Sequence, residues 1–133
     1  MATEKKNGFE ISVDQAWAFL TIRVWGFWDR ELARQFKQAC QAKVKEFDGE
    51  NKNWQVLIDF MNSPVQLPEV LEIIREGLQL LKDQRIHKKA VLVKNSITHF
   101  QADTLFRGNG LQIYSYFRSE QDALQWLLGE VNS

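Results

Sequence analysis

The most constraining stretch of the sequence is a short apolar run near its middle. Residues 54–60 read WQVLIDF, and a polar break at residues 61–64 (MNSP) follows directly. Such a run of β-branched and aromatic residues, ending in turn formers, is typical of a strand buried on both faces of a sheet. Open α/β sheets place their functional residues in the loops at the carboxyl ends of the strands. The first candidate binding residues are therefore Asp59, Asn62 and Ser63.

Strand and helix patterns alternate on both sides of this run. Alternating apolar and polar residues predict an antiparallel hairpin from residues 9–13 and 16–25. Capping residues and helical spacing then predict helices after Asp29, from Pro68, from the cap Ser96 to Phe106 and after Ser119, with further strands at 89–94 and 111–117. Gly77, on the apolar face of the second helix, predicts a close approach of that helix to the sheet. This order predicts an α/β domain with a five-stranded mixed sheet, in which strand-helix units follow the hairpin in sequential order. We expect residues 1–8 to be a flexible N-terminus and 9–133 to form one domain.

The second strand of the hairpin has two unlike faces. Its even positions are aliphatic, whereas its odd positions mix aromatic rings with polar groups. Sequential winding places the helices on one side of the sheet, so the odd face needs another cover. One interpretation is that the odd face is an interface, for which a two-fold symmetric homodimer is the simplest assembly. The alternative is that a segment of the same chain packs over this face. The candidate interface residues are Trp17, Phe19, Arg23 and Trp25.

Composition and charge exclude several classes of function. Seventeen Lys and Arg balance seventeen Asp and Glu, so we expect no nucleic-acid partner. The single cysteine, Cys40, lies on the apolar stripe of a predicted helix, which indicates a core residue rather than a reactive thiol. We expect a cytoplasmic protein without a membrane span, because no stretch is typical of a signal peptide or of a transmembrane helix.

The sequence contains no complete catalytic set. His87 and His99 are the only imidazoles, and neither has metal-ligand spacing to another histidine, a cysteine or a carboxylate pair. No serine stands in a Gly-x-Ser-x-Gly elbow, and the glycines at 108 and 110 lie between a helix and a strand, where a turn is expected rather than a phosphate loop. We therefore predict a protein that is not an enzyme and that has no metal site and no cofactor.

Three segments resemble the STAS and SpoIIAA-like superfamily, which has the anti-sigma-factor-antagonist fold. They are residues 24–29 before the first helix, 56–59 in the central strand and 116–127 at the end, where Phe117 is followed by an acidic helix start and Ala-Leu-Gln-Trp-Leu. The resemblance extends from about Phe9 to Leu128. It implies a SpoIIAA-like fold and a small, non-enzymatic regulatory module that binds a protein partner.

The chain departs from the phosphorylation motif of that superfamily. Regulatory STAS domains carry Asp-Ser-Ser-Gly after the central strand, and a partner kinase phosphorylates the motif's serine. Ser63 lies in the corresponding loop without the preceding Asp or the following Gly, and Pro64 removes a backbone N–H. A switch, if the chain has one, is predicted at Ser63, with Asp59 and Asn62 shaping the loop; the alternative is an ordinary loop serine.

A second hypothesis about function belongs to a different class. Aromatic residues make up 12% of the chain and include five tryptophans. Together with lipid-transfer proteins related in fold, this content suggests a domain that binds a lipid or another small apolar molecule in an apolar pocket.

Overall fold

Strands and helices alternate along the chain in the predicted order. The structure is a computed structural model that describes residues 6–47, 54–80, 86–106 and 113–129. Its elements are β1 (Gly8–Asp14), β2 (Phe19–Trp25), α1 (Arg30–Val44), a 3₁₀ turn (Lys45–Phe47), β3 (Trp54–Asn62), α2 (Pro68–Gln79), β4 (Ile86–Leu92), α3 (Ser96–Phe106), β5 (Ile113–Phe117) and α4 (Glu120–Leu128).

The five strands form one mixed sheet. Their order is β1-β2-β3-β4-β5, with β1 antiparallel to β2 and every later pair parallel. The apolar run at residues 54–60 lies in β3, the central strand, where Val56, Leu57 and Ile58 are all buried. The predicted fold class is therefore confirmed.

Helices cover both faces of the sheet, which corrects one expectation from the sequence. Buried residues of α1, α2 and α3 share one core with Leu20, Ile22 and Val24 of β2. On the opposite face, Ala123 and Leu127 of α4 pack in a second cluster with residues of β3 and β4. The last helix has no strand after it in the chain, so sequential winding does not fix its side.

The hairpin differs from its predicted bounds. β2 begins at Phe19 rather than at residue 16, because residues 15–18 form a turn in which Ala18 has a positive φ of 51°. Trp17 therefore belongs to this turn and not to the sheet. β1 begins at Gly8, within the segment predicted to be a flexible terminus. The division into that terminus and one domain from residue 9 stays a prediction.

Two predicted local features also need correction. The side chain of Asn95, not that of Ser96, accepts the Thr98 N–H at the start of α3, so Ser96 is already the first helical residue. Gly77 was expected to let α2 approach the sheet. A Cβ at Gly77 would instead lie 3.3 Å from Phe36 and from the backbone of Lys37, so the close approach is between α2 and α1. The predicted turn at Gly108–Gly110 lies outside the described residues.

Burial changes the acid-base behaviour of two side chains in the core. Cys40 is fully buried, as predicted, and burial raises the pKa of its thiol to about 12, so it stays protonated at neutral pH. Lys89 of β4 is also buried, with its Nζ 4.7 Å from the centre of the Phe106 ring. Burial lowers the pKa of Lys89 to about 8, because the charged ammonium loses solvation.

We expect Lys89→Met to stabilise the protein at pH 7 by roughly 3 kcal/mol. The unfolded chain keeps its proton up to about pH 10.5 and the folded chain only up to about pH 8. The stability of the wild type should therefore rise with pH between these values, and the advantage of the variant should shrink to nothing above them. Urea unfolding from pH 6 to 11 measures this.

Lys88→Met is the matched control for that experiment. The Lys88 Nζ donates to the Trp126 carbonyl at 3.2 Å on the other face of the sheet. Its removal should cost about 1 kcal/mol rather than stabilise the protein, because the hydrogen bond is lost. A stability difference for Lys89→Met that stays constant from pH 7 to 11 would show that the folded ammonium is not perturbed.

Candidate functional site

Three connections meet where the parallel strands end. They are residues 26–29 after β2, residues 63–67 after β3 and residues 93–95 before α3. We call these connections, together with the first turn of α3, the carboxyl edge. Gln66 lies in the loop after β3 and is buried. It hydrogen-bonds to the loop after β2 and to α3. The carboxyl edge is where the sequence placed Asp59, Asn62 and Ser63.

The Gln66 side chain uses both of its polar atoms to link the connections. Its Oε1 accepts the Trp28 N–H at 2.9 Å, and its Nε2 donates to the Gly26 carbonyl at 2.8 Å and to Ser63 Oγ at 3.0 Å. The Gln66 N–H donates to Gln101 of α3. One buried amide therefore fixes the loops after β2 and β3 relative to each other. Sequence reasoning missed Gln66, because a single glutamine in a loop carries no periodic signal.

Gly26 allows the chain to turn sharply out of β2. Its φ is +80°, and its N–H donates to the Asn62 carbonyl at 3.1 Å. A Cβ there would lie 2.1 Å from the Lys6 carbonyl oxygen and 2.5 Å from the Cα of Asn7. The Asn7 side chain in turn donates to the Phe27 carbonyl at 2.9 Å. The residues just before β1 are thus packed against the carboxyl edge.

The two loop residues predicted from the sequence lie at this edge. Ser63 is half-buried, and its hydroxyl accepts from Gln66 and donates weakly to the Pro64 carbonyl at 3.3 Å. Asn62 ends β3 with an exposed side chain. The structure brings Asn62 and Ser63 together beside Gln66, whereas Asp59 points to the other face of the sheet.

Asp59 and Arg23 form an ionic cluster with Glu120 on the α4 side of the sheet. Arg23 Nη1 lies 2.6 Å from Asp59 Oδ2, and both guanidinium nitrogens donate to Glu120 at 3.1 Å. The second oxygen of Asp59 accepts the N–H of Met61, which belongs to β3, at 2.8 Å. The bonds to Glu120 and Asp59 raise the pKa of Arg23 above its usual value in spite of partial burial. The cluster ties β2, β3 and the start of α4 together.

Arg23→Met should lower the free energy of unfolding by about 1 to 2 kcal/mol. The side chain of Asp59 is only 13% exposed, so loss of the guanidinium leaves a poorly solvated carboxylate. The exposed pair of Arg34 and Glu31, 3.9 Å apart, provides the control. Arg34→Met should change stability by less than about 0.5 kcal/mol. Equal effects of the two substitutions in urea unfolding would refute a special role for Arg23.

The carboxyl edge also exposes large apolar side chains. Phe100 is 67% and Ile97 is 64% exposed at the start of α3, next to the connections that Gln66 holds. We call the full set the apolar edge patch: Phe27 after β2, Val65 and Leu67 after β3, and Ile97 and Phe100 in α3. Sequence analysis missed this patch, since its members come from three separate segments.

The predicted interface residues do not share one environment. Phe19 and Trp25 are half-buried on the α4 face, with Phe19 packed against the cluster under α4 and Trp25 beside Gly8. Arg23 lies between them and is held by Asp59 and Glu120. Trp17 is 76% exposed in the hairpin turn.

Neither a metal site nor a large enclosed pocket is found at the carboxyl edge. Among the described residues, no three His, Cys, Asp or Glu side chains are grouped to hold a metal ion. A small cavity of about 20 Å³ lies beside Gln66 and Leu105, with room for about one water molecule. None of the described helices is long and apolar enough to cross a membrane.

The sheet order, the antiparallel first pair and the placement of the helices define a SpoIIAA-like α/β fold, which solved structures share. A crystal structure of an uncharacterized protein of the DUF3478 family, with a SpoIIAA-like fold, from Shewanella loihica PV-4 matches with a TM-score of 0.68 and 16% identity, over 94% of this chain and 98% of that chain. An anti-sigma factor antagonist from Mycobacterium paratuberculosis matches with a TM-score of 0.56 and 15% identity, over 91% of this chain and 95% of that chain. No protein-family model and no curated protein matches the chain.

Proposed function

We propose that this chain is a small regulatory module of the cytoplasm, which binds another protein through the carboxyl edge and has no catalysis of its own. The observation that carries the proposal is the apolar edge patch, whose five exposed apolar side chains come from two connections and α3, and Gln66 links all three. Exposed apolar surface of this kind marks interaction sites on soluble proteins. The likeness in fold to an anti-sigma factor antagonist supports a regulatory role.

The geometry of the edge suits a protein partner. Aromatic and aliphatic side chains at the centre of an interface supply most of its binding energy, provided that they are held in place before binding. Phe27 lies between Gly26 and Trp28, which both bond the Gln66 side chain, and Val65 directly precedes Gln66. Phe100 directly precedes Gln101, whose side chain accepts the Gln66 N–H. The patch is therefore presented by a fixed backbone.

The test is affinity capture from the protein's own host, followed by titration of the captured partner. Phe100→Asp and Ile97→Asp should each weaken binding at least tenfold with the melting temperature unchanged, because both side chains are exposed. Gln38→Asp, on the exposed surface of α1, is the matched control and should bind like the wild type. Full binding by both patch variants would contradict the proposal.

Ser63 is the proposed place of a switch at this edge. A phosphate on its Oγ adds about −1.5 to −2 charges. The modified oxygen is the one that now accepts from Gln66 Nε2 at 3.0 Å, so the charge would lie directly beside Gln66. Ser63→Asp should therefore weaken partner binding, whereas Ser63→Ala should not. Absence of modification at Ser63 in the native host, together with unchanged binding by Ser63→Asp, would rule the switch out.

The alternative of a lipid or small-molecule binder stays a prediction. Native mass spectrometry of protein purified from its own host separates the two functions, since a retained small molecule supports the alternative and a bare chain with a co-purifying protein supports the module.

A further inference from the structure

A groove lies on the α4 side of the sheet, away from the apolar edge patch. One part, of about 420 Å³, is lined by the hairpin, including Asp14, Trp17, Phe19 and Thr21, and by Leu128. A second part, of about 540 Å³, runs along α4 past Leu124 and Glu120 and shares Leu128 with the first. The two parts adjoin at Leu128, and together we call them the hairpin groove.

The hairpin groove exists because α4 covers only part of its face. Ala123 and Leu127 hold α4 against β3 and β4, and its packing lies mainly over β4. Strands are spaced about 4.8 Å apart, so β2 lies about 10 Å to one side of β4. Neighbouring helices pack at axial distances of 8 to 10 Å. The groove therefore has the width of one more helix beside α4.

Hydrogen bonds hold the backbone of the hairpin turn in place before any partner binds. The Trp17 N–H donates to Asp14 Oδ1 at 3.1 Å, and the turn continues through Ala18, whose carbonyl accepts from the Gln55 N–H at 2.9 Å. This short structured turn presents an indole ring that is 76% exposed. Leu128 is also exposed, at the far wall. Preorganised apolar anchors lower the entropy cost of binding.

The charges of this face select the partner. Among the residues that line the hairpin groove, the charged side chains are Asp14 and Glu120. Glu10 lies on the same face, opposite Arg23, and the guanidinium of Arg23 is already engaged by Asp59 and Glu120. A second copy placed face to face would bring these carboxylates together. Glu120 is already paired with Arg23, so a cationic partner would pair with Asp14 and Glu10 and would also stack on the Trp17 indole.

We propose that the hairpin groove binds a basic amphipathic helix of another protein. Its apolar side would pack on Phe19, Leu124 and Leu128, and its Lys or Arg side chains would face Asp14, Glu10 and the Trp17 ring. α4 is nine residues long, about 13 Å, so a partner helix of about three turns would match it. This site is separate from the apolar edge patch and does not depend on the proposed function.

The test uses a labelled 14-residue peptide with Leu at helical spacing and Lys between, and a copy with Glu in place of each Lys. The Lys peptide should bind the wild type, weaken as NaCl rises, and shift amide resonances in β2, the hairpin turn and α4. Trp17→Lys and Leu128→Lys should each weaken binding at least tenfold, with unchanged melting temperature because both side chains are exposed. Phe100→Asp should leave it unchanged, which separates this site from the edge.

Several outcomes would overturn the proposal. One is the absence of binding by the Lys peptide, and another is equal binding of the Lys and Glu peptides. Equal affinity of the wild type, Trp17→Lys and Leu128→Lys for the Lys peptide would place that peptide elsewhere. Light scattering that shows a dimer disrupted by Trp17→Glu would mean that a second copy occupies the groove, as the homodimer prediction from the sequence holds.

Discussion

Gly26→Ala is expected to lower the free energy of unfolding by about 3 kcal/mol. Two costs combine at this position. The φ of +80° is unfavourable for any residue with a Cβ, and that Cβ would collide with the Lys6 carbonyl at 2.1 Å. Relief requires the segment before β1 to move, which breaks the bond from Asn7 to the Phe27 carbonyl. Urea unfolding measures the loss.

Gly129→Ala is the matched control for that substitution. Gly129 has a φ of −70°, and nothing lies within 4 Å of the position that its Cβ would occupy. The same change should therefore leave stability within about 1 kcal/mol of the wild type, or raise it slightly. If Gly26→Ala unfolds at the same urea concentration as Gly129→Ala, the turn after β2 is not constrained as described.

Gln66→Leu should cost about 3 kcal/mol, because the substitution keeps a similar volume but removes every side-chain hydrogen bond. The Trp28 N–H and the Gly26 carbonyl lose partners that they hold at 2.9 and 2.8 Å inside the protein. A buried polar group left without a partner pays its full desolvation cost. We also expect faster hydrogen exchange at the Trp28 amide, which reports the loss at the site itself.

Gln38→Leu provides the comparison, since Gln38 lies exposed on α1 and the same chemical change there should shift stability by less than about 0.5 kcal/mol. A Gln66→Leu variant as stable as Gln38→Leu, with unchanged exchange at Trp28, would show that the amide does not hold the edge. If stability falls as expected, partner binding through the apolar edge patch should fall with it, because Gln66 links the connections that carry the patch.

Local patterns predicted the elements well where one interaction dominates. The buried run of β3, the cap at Asp29 and the alternation of β2 each depend on neighbours within a few residues, and all three are present. The bounds of β2 were wrong at its start, where the left-handed Ala18 ends the turn before the strand. Residues 16–20 (AWAFL) are all apolar, so no local signal separates turn from strand there.

The candidate site was predicted only in part. Asn62 and Ser63 could be placed at the carboxyl edge from the sequence, because strand ends in a parallel sheet share one edge. Asp59 was expected beside them, but it points to the other face of the sheet. Gln66 and Glu120 were missed, since Gln66 bonds Trp28 and Glu120 bonds Arg23, which lie 38 and 97 residues away in sequence. The interface role expected of Arg23 stays a prediction, and its guanidinium pairs with Asp59 and Glu120.

The order of the elements and the fold follow from local features of the sequence, because hydrophobic period and capping are local and each strand-helix unit must pack on the one before it. Three features became visible only in the folded chain. They are the side of the sheet that α4 takes, the links that Gln66 makes to the loop after β2 and to α3, and the apolar edge that separate segments form. These features depend on contacts between residues far apart in sequence, where a pattern within one segment carries no information about the partner.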